Sequence, residues 1–196
     1  AVPSIVYGLW GANIVAQYFD PVGTFLNKYL GWIPLFGDAS NSVGSSILFV
    51  SIVLAIMILP IVTALSREVF AQTPPAHKEA ALALGATKWE MIRTAVLPFG
   101  RPGVISAAML ALGRALGETL AVMLIVSALA EGSDWNWSLL SGGETFASKI
   151  ANNAGEFDTP SKTGAYIAAG LVLFILTFVV NAIARIVIER RKAFTE

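Results

Sequence analysis

Residues 46–62 of the chain are SILFVSIVLAIMILPIV, and no charged side chain occurs anywhere between residues 39 and 66. A helix needs about 20 mostly apolar residues to cross about 30 Å of hydrocarbon. Residues 43–65 meet that requirement. The stretch therefore predicts a membrane-spanning helix, and with it a membrane protein.

The composition of the whole chain agrees with this class. Of 196 residues, 56% are hydrophobic and 13% are charged, whereas a soluble domain carries about 25% charged residues. Disorder is excluded because the chain has more apolar surface than it can expose. The 13 basic residues balance 13 acidic ones, which indicates no nucleic-acid partner. The chain has no cysteine and one histidine, His77, so we expect no metal site.

Three further stretches predict spans. Residues 164–188 are mostly apolar, and residues 103–130 are apolar except for Arg114 and Glu118. Residues 4–19 are shorter and contain two amide side chains, so an interfacial helix is the alternative there. The predicted fold is an all-α, polytopic membrane helical bundle with about four spans in a single transmembrane domain.

The charges of the loops predict the orientation of the spans. Residues 66–102 carry five basic and three acidic side chains, and residues 185–196 carry four and two. Residues 20–42 and 131–163 carry more acidic than basic side chains. Since Lys and Arg accumulate in cytoplasmic loops, we expect 66–102 and the C-terminus to be cytoplasmic and the other two loops to be external. A short helix is predicted near residues 144–152. The predicted localisation is the inner or plasma membrane.

The cytoplasmic loop is too polar to lie in lipid and too apolar to be a simple linker. Its pattern predicts a short helix after Pro74-Pro75, a turn at Gly85 and a second helix that ends at Pro98. An amphipathic segment at a membrane face either lies on the lipid surface or docks on a partner. The pattern alone leaves both open.

A spaced motif in this loop favours docking on a partner. Its order is Glu-Ala-Ala, three residues, Gly, nine residues, an apolar position, any residue and Leu-Pro. The matching residues are Glu79, Ala80, Ala81, Gly85, Leu97 and Pro98. The motif resembles the EAA loop of ABC importer permeases, with Ala95 in place of the usual Ile. In that family the loop forms coupling helices that seat in a groove of the ATP-hydrolysing subunit.

Two opposite charges lie inside the predicted span 103–130. Arg114 and Glu118 would be costly facing lipid, so they must face protein or water. Being four residues apart, they share one face of a continuous helix and can pair. Gly113 and Gly117 beside them permit close helix contact. The residues leave two interpretations open: an ion pair that sets helix packing, or part of a translocation path.

A narrower resemblance bears on this choice. Residues 113–122, GRALGETLAV, look like the corresponding helix of phosphate-specific ABC permeases of the PstC type. Residues 3–11 and 171–185 resemble an earlier span and the last span of that family. The resemblance implies a type I ABC importer permease for inorganic phosphate that opens alternately to each side of the membrane. Members of that family normally carry additional N-terminal spans, so it also implies an N-terminally incomplete chain.

The resemblance implies residue roles and partners as well. Arg114 would bind phosphate oxygens through its guanidinium group, Glu118 would pair with Arg114 at rest, and Thr119 would add a hydroxyl donor. The chain contains no Gly-x-x-x-x-Gly-Lys-Ser/Thr, so we expect no enzymatic activity and no cofactor bound by this chain, with ATP-Mg on a partner. The implied partners are a second, PstA-like permease subunit, two ATP-binding subunits, an external phosphate-binding protein and the lipid bilayer.

Two other functions stay open. One is a permease for another oxyanion, such as sulfate or molybdate, because phosphate rests on the resemblance. The other is a membrane assembly protein in which Arg114 and Glu118 form a purely structural pair. A membrane enzyme finds no support, since the sequence has neither His-Glu-x-x-His nor Gly-x-Ser-x-Gly.

Overall fold

A computed structural model of the chain describes residues 3–37, 43–128 and 137–192, and within these ranges it contains helices and no strand. The helices are α1 Ser4–Trp10, α2 Ala16–Leu30, α3 Ile47–Ala71, α4 Pro75–Ala83, α5 Lys88–Met91, α6 Leu97–Leu116, α7 Leu120–Ile125, α8 Phe146–Asn152 and α9 Pro160–Lys192. Two π-helical turns, Gly11–Val15 and Ile92–Val96, join α1 to α2 and α5 to α6. The all-α prediction is confirmed.

Three of these helical segments are long and apolar enough to cross a membrane. They are Ile47–Ala71, Lys88–Leu116 and Pro160–Ile186. Each overlaps one of the predicted spans 43–65, 103–130 and 164–188. The fourth predicted span, residues 4–19, lies within the helical stretch from α1 to α2 and is not among the three.

The ends of the helices differ from those predicted. α3 continues to Ala71, so the loop predicted at 66–102 begins inside a helix. The helix that starts at Lys88 does not end at Pro98, as predicted, but continues to Leu116. The π-helical turn Ile92–Val96 lies just before this proline. It includes the residue four positions earlier, whose carbonyl group a proline ring clashes with in a regular α-helix. Because the π-turn widens the helix there, the chain stays helical through Pro98.

The prediction of one continuous helix over residues 103–130 is wrong. α6 ends at Leu116, Gly117–Thr119 is not helical, and α7 begins at Leu120. From Val126 the backbone is extended. The last two residues of the predicted span lie outside the described residues.

The predicted external loops are more helical than expected. α2 extends to Leu30, inside the loop predicted at 20–42, and α9 begins at Pro160. The short helix predicted near residues 144–152 is confirmed by α8, Phe146–Asn152. Residues 38–42 and 131–136 of these loops lie outside the described residues.

The chain divides into two compact units, one of residues 1–57 and 117–174, the other of residues 58–116 and 175–196. In the first unit α3 packs with α7. The buried core consists of Phe49, Val50, Val53, Val122 and Ile125. The rings of Phe19 and Phe49 lie 4.9 Å apart between centroids, which brings α2 onto the same core.

A non-helical segment caps the start of α3 in this unit. The backbone N–H groups of Ile47 and Leu48 donate to the carbonyl oxygens of Ser141 and Leu139, at 3.0 and 2.8 Å. Leu140, between these acceptors, is 0% exposed. The first amides of a helix have no partner within it, so this part of the predicted external loop completes α3 and is not merely solvated.

In the second unit the end of α3 packs closely on α6. A Cβ atom added at Gly103 would overlap one methyl group of Val69 and lie 2.7 Å from the other. At Gly113, ten residues further along α6, nothing in the described chain lies within 4 Å of such an atom. The close helix contact that the sequence suggested at Gly113 is therefore made at Gly103 within this chain.

We expect Gly103→Ala to destabilise the protein by about 1–3 kcal/mol, because valine is stiff at χ1 and cannot turn both methyl groups away. Gly113→Ala is the matched control and should stabilise α6 by about 0.5–1 kcal/mol. Thermal unfolding in detergent, followed by circular dichroism, measures both. Equal melting temperatures for the two variants would contradict the packing described.

Candidate functional site

The Gly85 turn ends α4 with a complete C-terminal cap. Gly85 has φ of +84°, a conformation that side chains with a Cβ atom rarely adopt. Its N–H donates to the carbonyl oxygen of Leu82 at 2.9 Å, and the N–H of Ala86 donates to that of Ala81 at 3.2 Å. This pair of bonds is the Schellman motif. The glycine of the EAA motif is thus required by the turn that it makes.

The next helix, α5, begins at Lys88 with a reciprocal N-terminal cap at Thr87. The Thr87 hydroxyl accepts from the N–H of Glu90 at 3.3 Å, and the Glu90 carboxylate accepts from the N–H of Thr87 at 2.8 Å. Such a capping box satisfies two amides that the helix leaves unpaired. With both ends capped, α4 and α5 form a hairpin of defined geometry, which we call the coupling hairpin (residues 75–91).

The coupling hairpin exposes large apolar side chains. Leu84 is 90% exposed and Trp89 is 67% exposed. Glu79 and Ala80 are also exposed, and Ala81 is half-buried. Clustered apolar side chains on a polar segment mark a surface for a partner. The structure places Glu79, Ala80, Ala81 and Gly85 together on this hairpin.

The two remaining motif residues lie elsewhere. Leu97 and Pro98 open α6, and both are exposed. His77 of α4 lies edge-on to Phe99, with ring centroids 6.4 Å apart. The motif therefore does not form one cluster. Its second half lies at the start of α6, in the helical segment that continues from α5 of the coupling hairpin.

Arg114 lies at the far end of that same helix. From Lys88 to Leu116 the chain is helical for 29 residues, which places Arg114 about 35 Å beyond the end of the coupling hairpin at about 1.5 Å per residue. Arg114 is exposed and lies in the last turn of α6, where a positive charge interacts favourably with the helix dipole. The described residues contain no group of three or more acidic or histidine side chains suited to a metal ion.

Glu118 has a different environment from the one predicted. It is 8% exposed, and its Oε1 accepts a hydrogen bond from the N–H of Ala121 at 3.3 Å. The carboxylate thus lies at the first turn of α7, where the helix dipole favours negative charge. The helix is interrupted between Arg114 and Glu118, so the two residues do not lie one turn apart on a continuous helix, and their pairing stays a prediction.

Thr119 precedes α7 but does not cap it with its side chain. Its hydroxyl instead donates to the carbonyl oxygen of Gly117 at 3.3 Å. The sequence did carry a signal for this break, since a glycine commonly ends a helix and a threonine commonly starts one. Gly117 and Thr119 stand in that order. The apolar residues on both sides of them nevertheless led to the prediction of a single span.

A second charged cluster lies in the predicted external loop at α8. Glu144 Oε2 is 2.8 Å from Lys149 Nζ, and Glu144 Oε1 accepts from the Asn152 amide at 2.9 Å. Partial burial acts to raise the pKa of Glu144, but these hydrogen bonds and the charge of Lys149 outweigh it, so the pKa lies below its ordinary value. The cluster fixes α8 at both ends and was not predicted.

The three long apolar helices define a polytopic, all-α membrane protein. The family can be stated more closely. A model of the family "Binding-protein-dependent transport system inner membrane component" matches residues 1–193, and the chain belongs to this family.

Curated relatives narrow the comparison. The phosphate transport system permease protein PstC of Mycobacterium leprae is 60% identical over 94% of this chain and 58% of its own length. PstC 2 of Mycobacterium tuberculosis is 58% identical over 94% of this chain and 57% of its own length. PstC of Haemophilus influenzae is 37% identical over 97% of this chain and 60% of its own length. The chain thus spans about three fifths of the length of these relatives. No solved structure matches it.

The structural role of Glu118 predicts that Glu118→Leu loosens the start of α7, because the Ala121 N–H loses its acceptor. We expect a loss of about 1 kcal/mol, or about fivefold faster amide exchange at Ala121. Glu118→Gln keeps a carbonyl acceptor and should exchange nearly as the parent does. Hydrogen–deuterium exchange with mass spectrometry measures both. If the Gln variant exchanges as fast as the Leu variant, the negative charge matters more than the hydrogen bond.

Proposed function

We propose that the chain is a permease subunit of an ATP-driven, binding-protein-dependent importer whose substrate is inorganic phosphate. One observation supports this above the others: a single helical segment of spanning length, Lys88–Leu116, joins the exposed coupling hairpin to Arg114. The similarity to phosphate transport system permeases supports the choice of substrate.

The coupling hairpin receives a separate ATP-hydrolysing subunit in this proposal. Leu84 and Trp89 project far enough to enter a groove on such a partner, and burial of large apolar side chains is what anchors most interfaces. The capped ends of α4 and α5 keep the hairpin rigid, so a displacement by the partner passes to α6 as a rigid-body motion. Mg-ATP binds to the partner, and this chain holds no cofactor.

Arg114 binds the anion in this proposal. A guanidinium group offers several N–H donors in a planar fork that matches the oxygens of phosphate. An arginine at this depth in a span has to face water or protein and not lipid, which suits a position along a path. A motion that the partner imposes on the coupling hairpin then moves Arg114 as well, which supports alternating access through the helix that both share.

Glu118 belongs to the packing of the helix break and not to the anion path. A carboxylate next to a translocated anion would repel it. The buried carboxylate accepts a backbone hydrogen bond at the start of α7. This contact stabilises the helix start and accounts for a carboxylate at this position. Thr119 stays a candidate donor to the anion, since its side chain is only partly buried.

The remaining partners follow from this function. The complex contains a second permease subunit of the PstA type, two ATP-binding subunits and an external phosphate-binding protein. The last of these would dock on the external face, to which α8 belongs. The orientation places the coupling hairpin and the C-terminus in the cytoplasm, in agreement with the basic residues of both segments.

We expect Arg114→Gln to lower phosphate uptake roughly ten- to a hundredfold, because a charge-assisted hydrogen bond to the anion is lost. The protein is expressed with its partner subunits in cells that lack their own phosphate importer, and uptake of labelled phosphate is measured. Arg185→Gln, which removes an exposed arginine from α9, is the control and should transport normally.

Competing sulfate or molybdate in the same assay identifies the oxyanion. If neither anion lowers the uptake of labelled phosphate, the result supports phosphate as the substrate. If sulfate or molybdate inhibits that uptake, the importer is assigned to the inhibiting anion. If Arg114→Gln transports at the parental rate with normal membrane levels, Arg114 is a packing residue. If the parent protein, assembled with its partner subunits, takes up none of these anions, the membrane assembly protein becomes the better interpretation.

The coupling hairpin predicts a separate defect. Leu84→Ala should weaken the binding of the ATPase subunit about tenfold, because an anchor at the centre of an interface is truncated. Leu59→Ala, which truncates a 57% exposed leucine of α3, is the matched control. Co-purification of the ATPase subunit and its ATP turnover report the difference. Equal retention of the subunit by both variants would exclude Leu84 from the interface.

A further inference from the structure

An open groove of about 630 Å³ lies on the second unit, between the end of α3 and the start of α6. Five apolar residues and two arginines line it: Phe70, Arg93, Leu97, Pro98, Arg101, Val104 and Ile105. The exposed apolar side chains of the coupling hairpin, Leu84 and Trp89, are not among them. The groove is therefore a second surface, separate from the one assigned to the ATPase subunit.

The charge of the groove is uncompensated. Arg93 and Arg101 are both exposed, no acidic side chain lines the groove, and no described carboxylate forms an ion pair with either arginine. Two guanidinium groups at one groove raise the local positive potential and attract a compact anion.

The apolar lining continues from the arginines into the membrane-spanning part of α6. Val104 and Ile105 follow Arg101, and residues 102–113 contain no charged side chain. Of the residues of this helix that line the groove, both cations, Arg93 and Arg101, precede the two apolar residues nearest the span, Val104 and Ile105. A phospholipid is complementary to this arrangement, because its anionic phosphate group is followed by apolar acyl chains.

We propose that this groove binds an anionic phospholipid of the cytoplasmic leaflet. The lipid phosphate pairs with Arg93 and Arg101, and an acyl chain lies along Val104 and Ile105. Basic pockets between membrane helices on the cytoplasmic side are suited to anionic headgroups. A soluble protein partner fits less well, because the apolar lining leads into the span and away from the coupling hairpin.

The position of this lipid has a consequence for the helices. Phe70 of α3 and Leu97 of α6 both line the groove, so the lipid contacts both helices next to the site where Val69 packs on Gly103. An anionic lipid there stabilises the packed arrangement of the two helices from which the coupling hairpin extends. The assignment does not depend on which substrate the protein carries.

The test is native mass spectrometry of the full chain, released from nanodiscs that contain equal amounts of phosphatidylglycerol and phosphatidylcholine. We expect the parent to retain phosphatidylglycerol preferentially. Arg93→Gln with Arg101→Gln should lower that retention about thirtyfold, since each basic side chain near an anionic headgroup contributes a factor of about five. Arg67→Gln with Arg185→Gln removes the same charge outside the groove and should change retention less than about twofold.

A charge-retaining variant controls for misfolding as a cause of the lipid loss. Arg93→Lys with Arg101→Lys should keep most of the bound phosphatidylglycerol, and circular dichroism should show the same helix content in every variant. A Lys variant that folds normally but loses the lipid as completely as the Gln variant would overturn the proposal.

Three other outcomes would also overturn it. Equal losses in the groove variant and in the control variant would mean general attraction to the surface. Displacement of phosphatidylglycerol by inorganic phosphate would mean a small-anion site without a role for the acyl chain. Displacement by the purified ATPase subunit would mean that the groove is part of the protein interface.

Discussion

Backbone amide and carbonyl groups have no water to bond with in hydrocarbon, so every interruption of a membrane helix must supply its own partners. Three helix starts in this chain have such partners, although the one before α5 lies in the exposed coupling hairpin and not in hydrocarbon. The start of α3 uses carbonyl oxygens of residues 139 and 141. The start of α7 uses the carboxylate of Glu118, and the turn before α5 uses the capping box of Thr87 and Glu90. The positions of the helices depend on these contacts.

The uninterrupted helix is as informative as the broken one. Pro98 lies within it, yet the π-helical turn before this proline keeps the chain helical from Lys88 to Leu116. A partner that binds the coupling hairpin would therefore act on Arg114 through one continuous helical segment. The groove at Arg93 and Arg101 lies along the same helix, so lipid, partner and anion would all act on one body.

The sequence predicted what depends on composition and local chemistry. Three apolar stretches became helices of spanning length, and Gly85 formed the expected turn because its positive φ excludes most other residues. The sequence did not predict the break after Leu116, because hydropathy is the same on both sides of Gly117 and Thr119. Nor did it predict the burial of Leu140, since the carbonyl groups on either side of it accept hydrogen bonds from Ile47 and Leu48, more than 90 residues earlier. The roles of Arg114 and Thr119 stay predictions.

The hydrogen bonds at the start of α3 set an order for biosynthesis. Their donors, Ile47 and Leu48, precede the acceptors at Leu139 and Ser141 by more than 90 residues. The ribosome therefore delivers α3 to the membrane well before the segment that completes it has been made. Until then the first amides of α3 need water or another protein as a substitute. Insertion and folding of this helix are thus separate events in time, and the second waits for the translation of residue 141.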